Sequence, residues 1–274
     1  MSTVLQQTKQ TTQTKSFPLA DTATMLRRQL RHAMRYPALS LGAIGMPVVM
    51  LLLFGVVFGK TFSAGLGGGN GFEYIDFLTP GLLLMSIASG IMSPAIGAAT
   101  DMTEGIVARF RTMAIFRPAV LTGHVLANTI ITVVSLALVI GFAMLIGFRP
   151  NASLVDWLLT AGLLVALTVA LTWFGVALGL VSKTAEGASN IVLPISLLLP
   201  LLSTTFIPLD AMPSGLRWFV EYQPFTPIIE TLRHLLLDTP LESGNGWLSA
   251  AWCLAIGIVG YFWAQKNYNK GTAA

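Results

Sequence analysis

Few residues in this chain are of types that do chemistry, and their spacing assembles none of the common sites. The nearest match to a phosphate-binding loop is GVVFGKT, Gly55–Thr61. Such a loop needs GxxxxGK and then Ser or Thr after a strand, so that successive backbone N–H groups cradle the phosphates. Here the spacing falls short by one residue and the motif closes an apolar run, so no nucleotide site is expected. His32, His124 and His234 lie on separate segments and cannot be gathered by spacing into a zinc site. Cys253 is the single cysteine, which leaves neither a disulfide framework nor a Cys/His metal cluster. His124 only begins an apolar run, so its ring is expected at headgroup level rather than at catalytic depth. The expectation is no catalytic residue, no metal and no enzyme.

What the sequence does specify is apolar length. Of 274 residues, 54% are hydrophobic and 10% are charged, against about 25% charge in a soluble domain. A spanning helix needs about 20 apolar residues, because each backbone N–H and C=O must be satisfied within the segment. Six stretches qualify: Leu41–Gly59, Phe77–Ala99, Ala119–Ile146, Leu154–Val181, Ala188–Ile207 and Trp247–Ala264. The third and fourth exceed the need, which predicts tilt. No stretch carries charge in its middle, so the ion relay of a coupled carrier or pump is not visible. Uphill transport would then take its energy from elsewhere.

Lys and Arg divide twelve to four between the two sets of loops, the larger set including both termini. By the positive-inside tendency both termini are cytoplasmic. The same placement explains the pI near 9.4 without nucleic acid. Residues 1–21, rich in Gln, Thr and Lys, read as a disordered cytoplasmic tail. Residues 22–38 read as an amphipathic interfacial elbow helix: Leu26, Leu30, Ala33 and Met34 share one face, Arg27, Arg28, Arg31 and Arg35 cover the rest, and Pro37 stops it. It serves as a topology anchor and also as an elbow that touches a cytoplasmic partner. Residues 39–265 form the six-span domain and 266–274 a second tail.

Two connections carry more than a turn. Thr100–Pro118 alternates Ile106, Val107, Phe110 and Met113 with Asp101, Glu104, Arg109 and Arg111 at helical spacing, as a surface-lying cytoplasmic helix would. The Gly-rich Lys60–Asp76 reads as a mobile external loop. The segment at about 208–246 reads as an external helical hairpin, with Thr226 as N-cap and Pro227 at the first helical position. Trp218 and Tyr222 could anchor it as an interfacial cover; alternatively Trp218, Glu230 and Arg233 belong to a gate over a pathway.

These residues resemble the membrane subunit of ABC-2-type exporters, in particular bacterial daunorubicin-resistance-like permeases. The resemblance is carried by Asp101–Met102 through Gly105–Ile106–Val107, Arg109–Phe110–Arg111, Ala188–Ser189–Asn190, Phe206–Ile207–Pro208 through Met212–Pro213, Pro224–Phe225–Thr226–Pro227 and Glu230–Thr231–Leu232–Arg233. Ala114, Phe116 and Pro118 depart from the family's coupling stretch. The resemblance implies an all-α integral membrane fold: six transmembrane helices, an N-terminal elbow, a coupling helix between the second and third, and short external helices before the last. It also implies a bacterial plasma membrane and a second permease copy, as homo- or heterodimer. A separate ATP-binding-cassette subunit would bind ATP and Mg, leaving no cofactor on this chain. On that basis Glu104, Arg109, Phe110 and Arg111 are the expected docking residues, and membrane lipid and a hydrophobic or amphiphilic substrate the other partners. Mildly polar positions, Asn128, Ser135, Thr168, Thr172, Asn190, Ser196 and Ser203, are candidates to line the pathway. An ion-coupled secondary carrier and a non-transporting membrane scaffold are the alternatives.

Overall fold

The computed structural model describes residues 18–35, 45–59, 61, 71–103, 118–182, 184–209, 212–240 and 245–270. Every element among them is helical. In chain order they are α1 (Pro18–Arg35), α2 (Gly45–Val57), α3 (Gly71–Gly90), α4 (Met92–Thr103), α5 (Pro118–Ile146), α6 (Leu154–Val181), α7 (Ala185–Leu201), α8 (Ser214–Tyr222), α9 (Phe225–Leu237) and α10 (Asn245–Lys270). Among the described residues, four helical stretches are long and apolar enough to cross a membrane: Tyr74–Thr103, Leu121–Ile146, Leu154–Val181 and Asn245–Asn269. Gly45–Val57 and Ala185–Leu201 are apolar but shorter.

Local sequence explains the boundaries. Pro94 has no N–H to complete the helical ladder, and the chain turns at Ile91, so the second apolar stretch is α3 and α4 in series. Ser153 caps α6: its hydroxyl accepts from the Asp156 N–H while the Asp156 carboxylate accepts from the Ser153 N–H, a reciprocal capping box. Thr184 caps α7 by accepting from the Gly187 N–H at 3.0 Å. α2 widens to π-helical geometry over Leu51–Val57, with the Phe58 N–H reaching the Leu53 carbonyl at 3.0 Å.

Helices α3, α4 and α6 form the buried centre. Leu78, Leu82, Leu83 and Ile87 of α3 pack into one core with Leu136 and Val139 of α5, Leu164 and Leu171 of α6, and Ile228, Ile229 and Leu232 of α9. α5 and α10 turn apolar faces outward, through Val134, Leu138 and Leu145 and through Leu254, Ile258 and Phe262. Small residues set the closest approaches. A Cβ added at Gly179 would lie 2.1 Å from the Ala95 carbonyl oxygen, and one at Gly175 3.1 Å from that of Ile91, so α6 meets the α3–α4 break backbone to backbone.

The ends of the bundle differ. At one, α1 lies against the start of α5 and the end of α4, where Ala98, Leu121, Val125, Val176, Ala177 and Tyr268 share a second small core. At the other, α9 lies beside the start of α3, the residues after α7 and the start of α10, through Arg233–Phe77, Arg233–Thr204 and Thr231–Ser249 contacts.

Several expectations are corrected. α1 begins at Pro18, ahead of the expected Thr22. The end of the Gly-rich connection, Gly71–Asp76, is helical and opens α3. α7 stops at Leu201, and residues 202–206 are turns rather than the last part of a helix to Ile207. α9 starts at Phe225 with Pro224 as N-cap and no side-chain cap, so Thr226 sits inside the first turn; it is buried there, its hydroxyl 3.5 Å from the Gln223 amide nitrogen rather than accepting from a backbone N–H of the helix start. The expected coupling residues Glu104, Arg109, Phe110 and Arg111 lie outside the described residues.

Candidate functional site

Among the described residues, two buried charged centres stand at opposite ends of the bundle. The first is built on Asp101, in the last turn of α4. Its Oδ1 accepts from Arg28 Nη2 of α1 at 3.0 Å, and its Oδ2 lies 2.9 Å from His124 Nε2 of α5. The Gln29 amide nitrogen is 3.1 Å from the same His124 nitrogen. Asp101 and His124 are only 6% and 5% exposed, while the Arg28 side chain is 41% exposed. A buried carboxylate needs an opposite charge and hydrogen-bond donors to be tolerated, and this one receives them from two other helices. Glycines make the junction fit. A Cβ at Gly97 would meet the His124 ring at 2.9 Å, and one at Gly123 would meet the Met25 Cβ at 2.7 Å.

Sequence reasoning placed His124 at headgroup level and saw no buried charge in the spans. What that reading missed is that the two meet: His124 is enclosed by α1 and α4, and Asp101, at the end of α4, is buried with it. Asp101 at the end of one apolar stretch and His124 at the start of the next was the available signal, since the two ends must adjoin if the helices pair antiparallel. Of the elbow arginines, Arg28 joins this centre, Arg27 and Arg31 are exposed, and the side chain of Arg35 lies outside the described residues.

The second centre is Arg233 of α9, 5% exposed. Its Nε and Nη2 donate to the Phe77 carbonyl at 3.2 and 3.0 Å, and Nη2 also to the Thr204 carbonyl at 2.6 Å. Nη1 donates to Glu230 Oε1 at 2.8 Å, which also accepts from Thr204 Oγ1 at 2.9 Å. The guanidinium carbon lies 3.6 Å from the Phe77 ring centroid. Burial pushes the Arg233 guanidinium down to about 10, against the opposing pull of the Glu230 carboxylate, so it is still a cation at neutral pH. Around it, the Tyr74 hydroxyl donates to the Phe206 carbonyl at 3.2 Å and the Gln223 amide to that of Leu202. These bonds satisfy carbonyls that the end of α7 leaves without helical partners. Glu230 and Arg233, expected together, are together; Trp218 is 71% exposed and stands apart from them.

The polar positions suggested for a pathway separate into two kinds. Asn128 Nδ2 donates to Thr172 Oγ1 at 2.8 Å, and Thr172 and Thr168 hydroxyls donate back to the Thr168 and Leu164 carbonyls at 2.6 and 2.7 Å. That chain ties α5 to α6 and is buried. Ser135, Ser196 and Ser203 likewise turn onto the Ile131, Leu193 and Pro200 carbonyls of their own segments. Asn190, on α7, is exposed. A groove of about 820 Å³ between α6 and α10 is apolar, with Leu158, Leu254 and Phe262 at its open side and Gly162, Ala166 and Gly257 in its lining.

Comparison with known proteins places this arrangement. The family described as ABC-2 type transporter matches residues 20–237, from α1 through α9, and so includes both polar centres. The chain belongs to the ABC-2 type transporter family. It is similar to the daunorubicin resistance ABC transporter permease protein DrrB1 of Streptomyces coeruleorubidus, 25% identical over 241 residues, which is 88% of this chain and 82% of that protein. The probable doxorubicin resistance ABC transporter permease protein DrrC of Mycobacterium tuberculosis is 24% identical over 230 residues, 82% of this chain and 80% of its own. The inner membrane transport permease YadH of Escherichia coli is 26% identical over 213 residues, 74% and 79% of the two chains. With the apolar helices, membership in the ABC-2 family makes this a multi-pass membrane protein.

Proposed function

We propose that the chain is the permease subunit of a bacterial ABC exporter, moving a hydrophobic or amphiphilic compound outward. A separate ATPase subunit binds ATP and Mg and supplies the energy. The observation that carries this is the ABC-2 match across residues 20–237, joined to relatives named as drug-resistance permeases. The working unit has two permease copies and two ATPases. Six spans, with both termini cytoplasmic, fit the twelve-to-four division of Lys and Arg.

The junction of α1, α4 and α5 gives the proposal a mechanical basis. Residues 104–117, which include the docking candidates Glu104, Arg109, Phe110 and Arg111, run directly from Asp101 at the end of α4 to α5, on which His124 sits. A partner that binds this segment and α1 would push on the bases of two spans. For ATP to drive transport, the two permease states must differ in their affinity for the ATP-bound partner. The pathway lies against a second copy, with Asn190 the candidate that faces outward from this chain.

The test is reconstitution. The permease and its ATPase are purified together into phosphatidylethanolamine/phosphatidylglycerol liposomes, with daunorubicin as first probe on the strength of the relatives' names. The expected outcome is ATP-dependent daunorubicin accumulation that is abolished when the ATPase is omitted. Arg109→Glu with Arg111→Glu should dissociate or uncouple the pair; unchanged coupling removes those residues from docking.

The buried Asp101–His124 pair favours one competing reading, an ion-coupled carrier, since such pairs relay protons. Among the described residues, however, the other buried ionisable side chain of this kind is Arg233, at the opposite end. Among the described residues, no buried Asp, Glu, His, Lys or Arg side chain joins the two. Accumulation by the permease alone under an imposed proton gradient would decide for the carrier.

A further inference from the structure

We propose that Asp101 is the positioning residue that makes α1 move as one body with the bases of α4 and α5, and that this three-helix lock turns partner binding into movement of the spans. The inference rests on the permease reading above, and it assigns the step to three side chains rather than to the docking surface. The geometry is specific. One carboxylate oxygen holds α1 through Arg28 at 3.0 Å, and the other holds α5 through His124 at 2.9 Å. The carboxylate therefore bridges the two helices, and neither contact can be lost without leaving a buried charge short of a partner. Gly97 and Gly123 remove the Cβ atoms that would wedge the helices apart. Asp101 also stands three residues before Glu104, the first docking candidate, so a displacement of that segment enters the spans at the turn of α4 that carries Asp101. A purely structural salt bridge would hold the fold together and leave the ratio of transport to ATP hydrolysis unchanged. A positioning residue would set that ratio.

The experiment measures transport and ATP hydrolysis in the reconstituted permease–ATPase complex, with gel-filtration co-elution recorded for every variant. Asp101→Asn and Arg28→Gln should keep the complex assembled and hydrolysing ATP, while daunorubicin moved per ATP falls about tenfold, within the ~5- to 150-fold range of site-to-site coupling. Arg28→Lys should restore most of the ratio by restoring the cation. His124→Gln keeps an amide donor toward Asp101 and should also retain coupling, whereas His124→Leu should not. Arg28 is partly exposed, so Arg28→Gln reports even if Asp101→Asn fails to fold. Wild-type ratios in Arg28→Gln and His124→Leu overturn the lock alone. Coupling lost in His124→Gln as fully as in His124→Leu also overturns it, since the imidazole itself, as a proton carrier, would then be required. Absence of ATP-dependent transport in the wild-type complex overturns the permease reading and the lock with it.

Discussion

A guanidinium closed in by two carbonyls, a carboxylate and a phenyl ring has no slack, and Arg233 shows what that implies for substitution. Arg233→Met keeps much of the volume but leaves the Phe77 and Thr204 carbonyls without their donor. Glu230 is about one-third exposed and can recover water, so most of the loss is the unmade hydrogen bonds, at about 1–3 kcal/mol. Arg233→Lys should recover only part, because one ammonium cannot reproduce the planar fork that reaches both carbonyls. Thermal unfolding in detergent, followed by intrinsic fluorescence, checks the order wild type, Lys, Met. Glycines offer a sharper contrast. Gly179→Leu puts a side chain where Ala95 carbonyl oxygen lies 2.1 Å from the first atom, so α4 and α6 must part, at a cost of about 1–3 kcal/mol or more. Gly162 has open space around its would-be Cβ, and Gly162→Ala should be neutral or stabilising by up to about 1 kcal/mol through helix propensity. Equal effects at the two positions would mean that the α4–α6 approach is not close.

Elements were legible in the sequence where one local rule governed them. Apolar length located the four long stretches, and the alternation of apolar and basic residues located α1. The capping box at Ser153, which apolar length does not announce, is equally local: Ser153→Ala removes the acceptor for the Asp156 N–H and should cost about 1 kcal/mol, fraying the first turn of α6. Faster amide exchange at Asp156 and Trp157 with no change deeper in α6 is the expected signature. Where two segments had to be considered jointly, the sequence was less informative. Thr226 and Pro227 match a helix start, yet α9 begins at Phe225 because packing of Phe225 and Ile228 into the core fixes where the helix must enter. Asp101 and His124 each read as ordinary span-end residues; their partnership exists only once α4 and α5 are antiparallel and α1 folds back on them. The same holds for Arg233, whose acceptors are backbone carbonyls that no side-chain pattern announces. The Asn128–Thr172 bond had a signal, two polar groups in apolar runs, but such a pair contributes only about 0.6 kcal/mol and marks helix contact rather than a pathway.

For the whole molecule, the number of crossings turns on α2 and α7, which are shorter than about 20 residues. The contacts at the two ends constrain this. α1 is tied to Asp101 at one end, while α3 begins at the other, near Arg233; between them in the chain, α2 carries Gly55 to within 3.0 Å of Ile75 at that far end, measured from its would-be Cβ. α7 likewise starts next to the end of α6 and delivers Thr204 and Phe206 to Arg233 and Tyr74. Its 17 residues rise about 25 Å at 1.5 Å each, and the turns of 202–206 supply the remaining depth, their carbonyls capped by Arg233, Tyr74 and Gln223. A short helix can therefore cross if its exposed end is satisfied by protein rather than lipid. The prediction is tested with single cysteines at Ala23, Thr184, Asn151 and Ser214 on a Cys253→Ala background. In intact cells a membrane-impermeant maleimide should label Asn151→Cys and Ser214→Cys, and reach Ala23→Cys and Thr184→Cys only after permeabilisation. If α7 turned back within the membrane, Ser214→Cys would be protected together with Thr184→Cys. If α2 did so, Ala23→Cys would be labelled from outside. Either result would leave the chain with five crossings and its termini on opposite faces of the membrane.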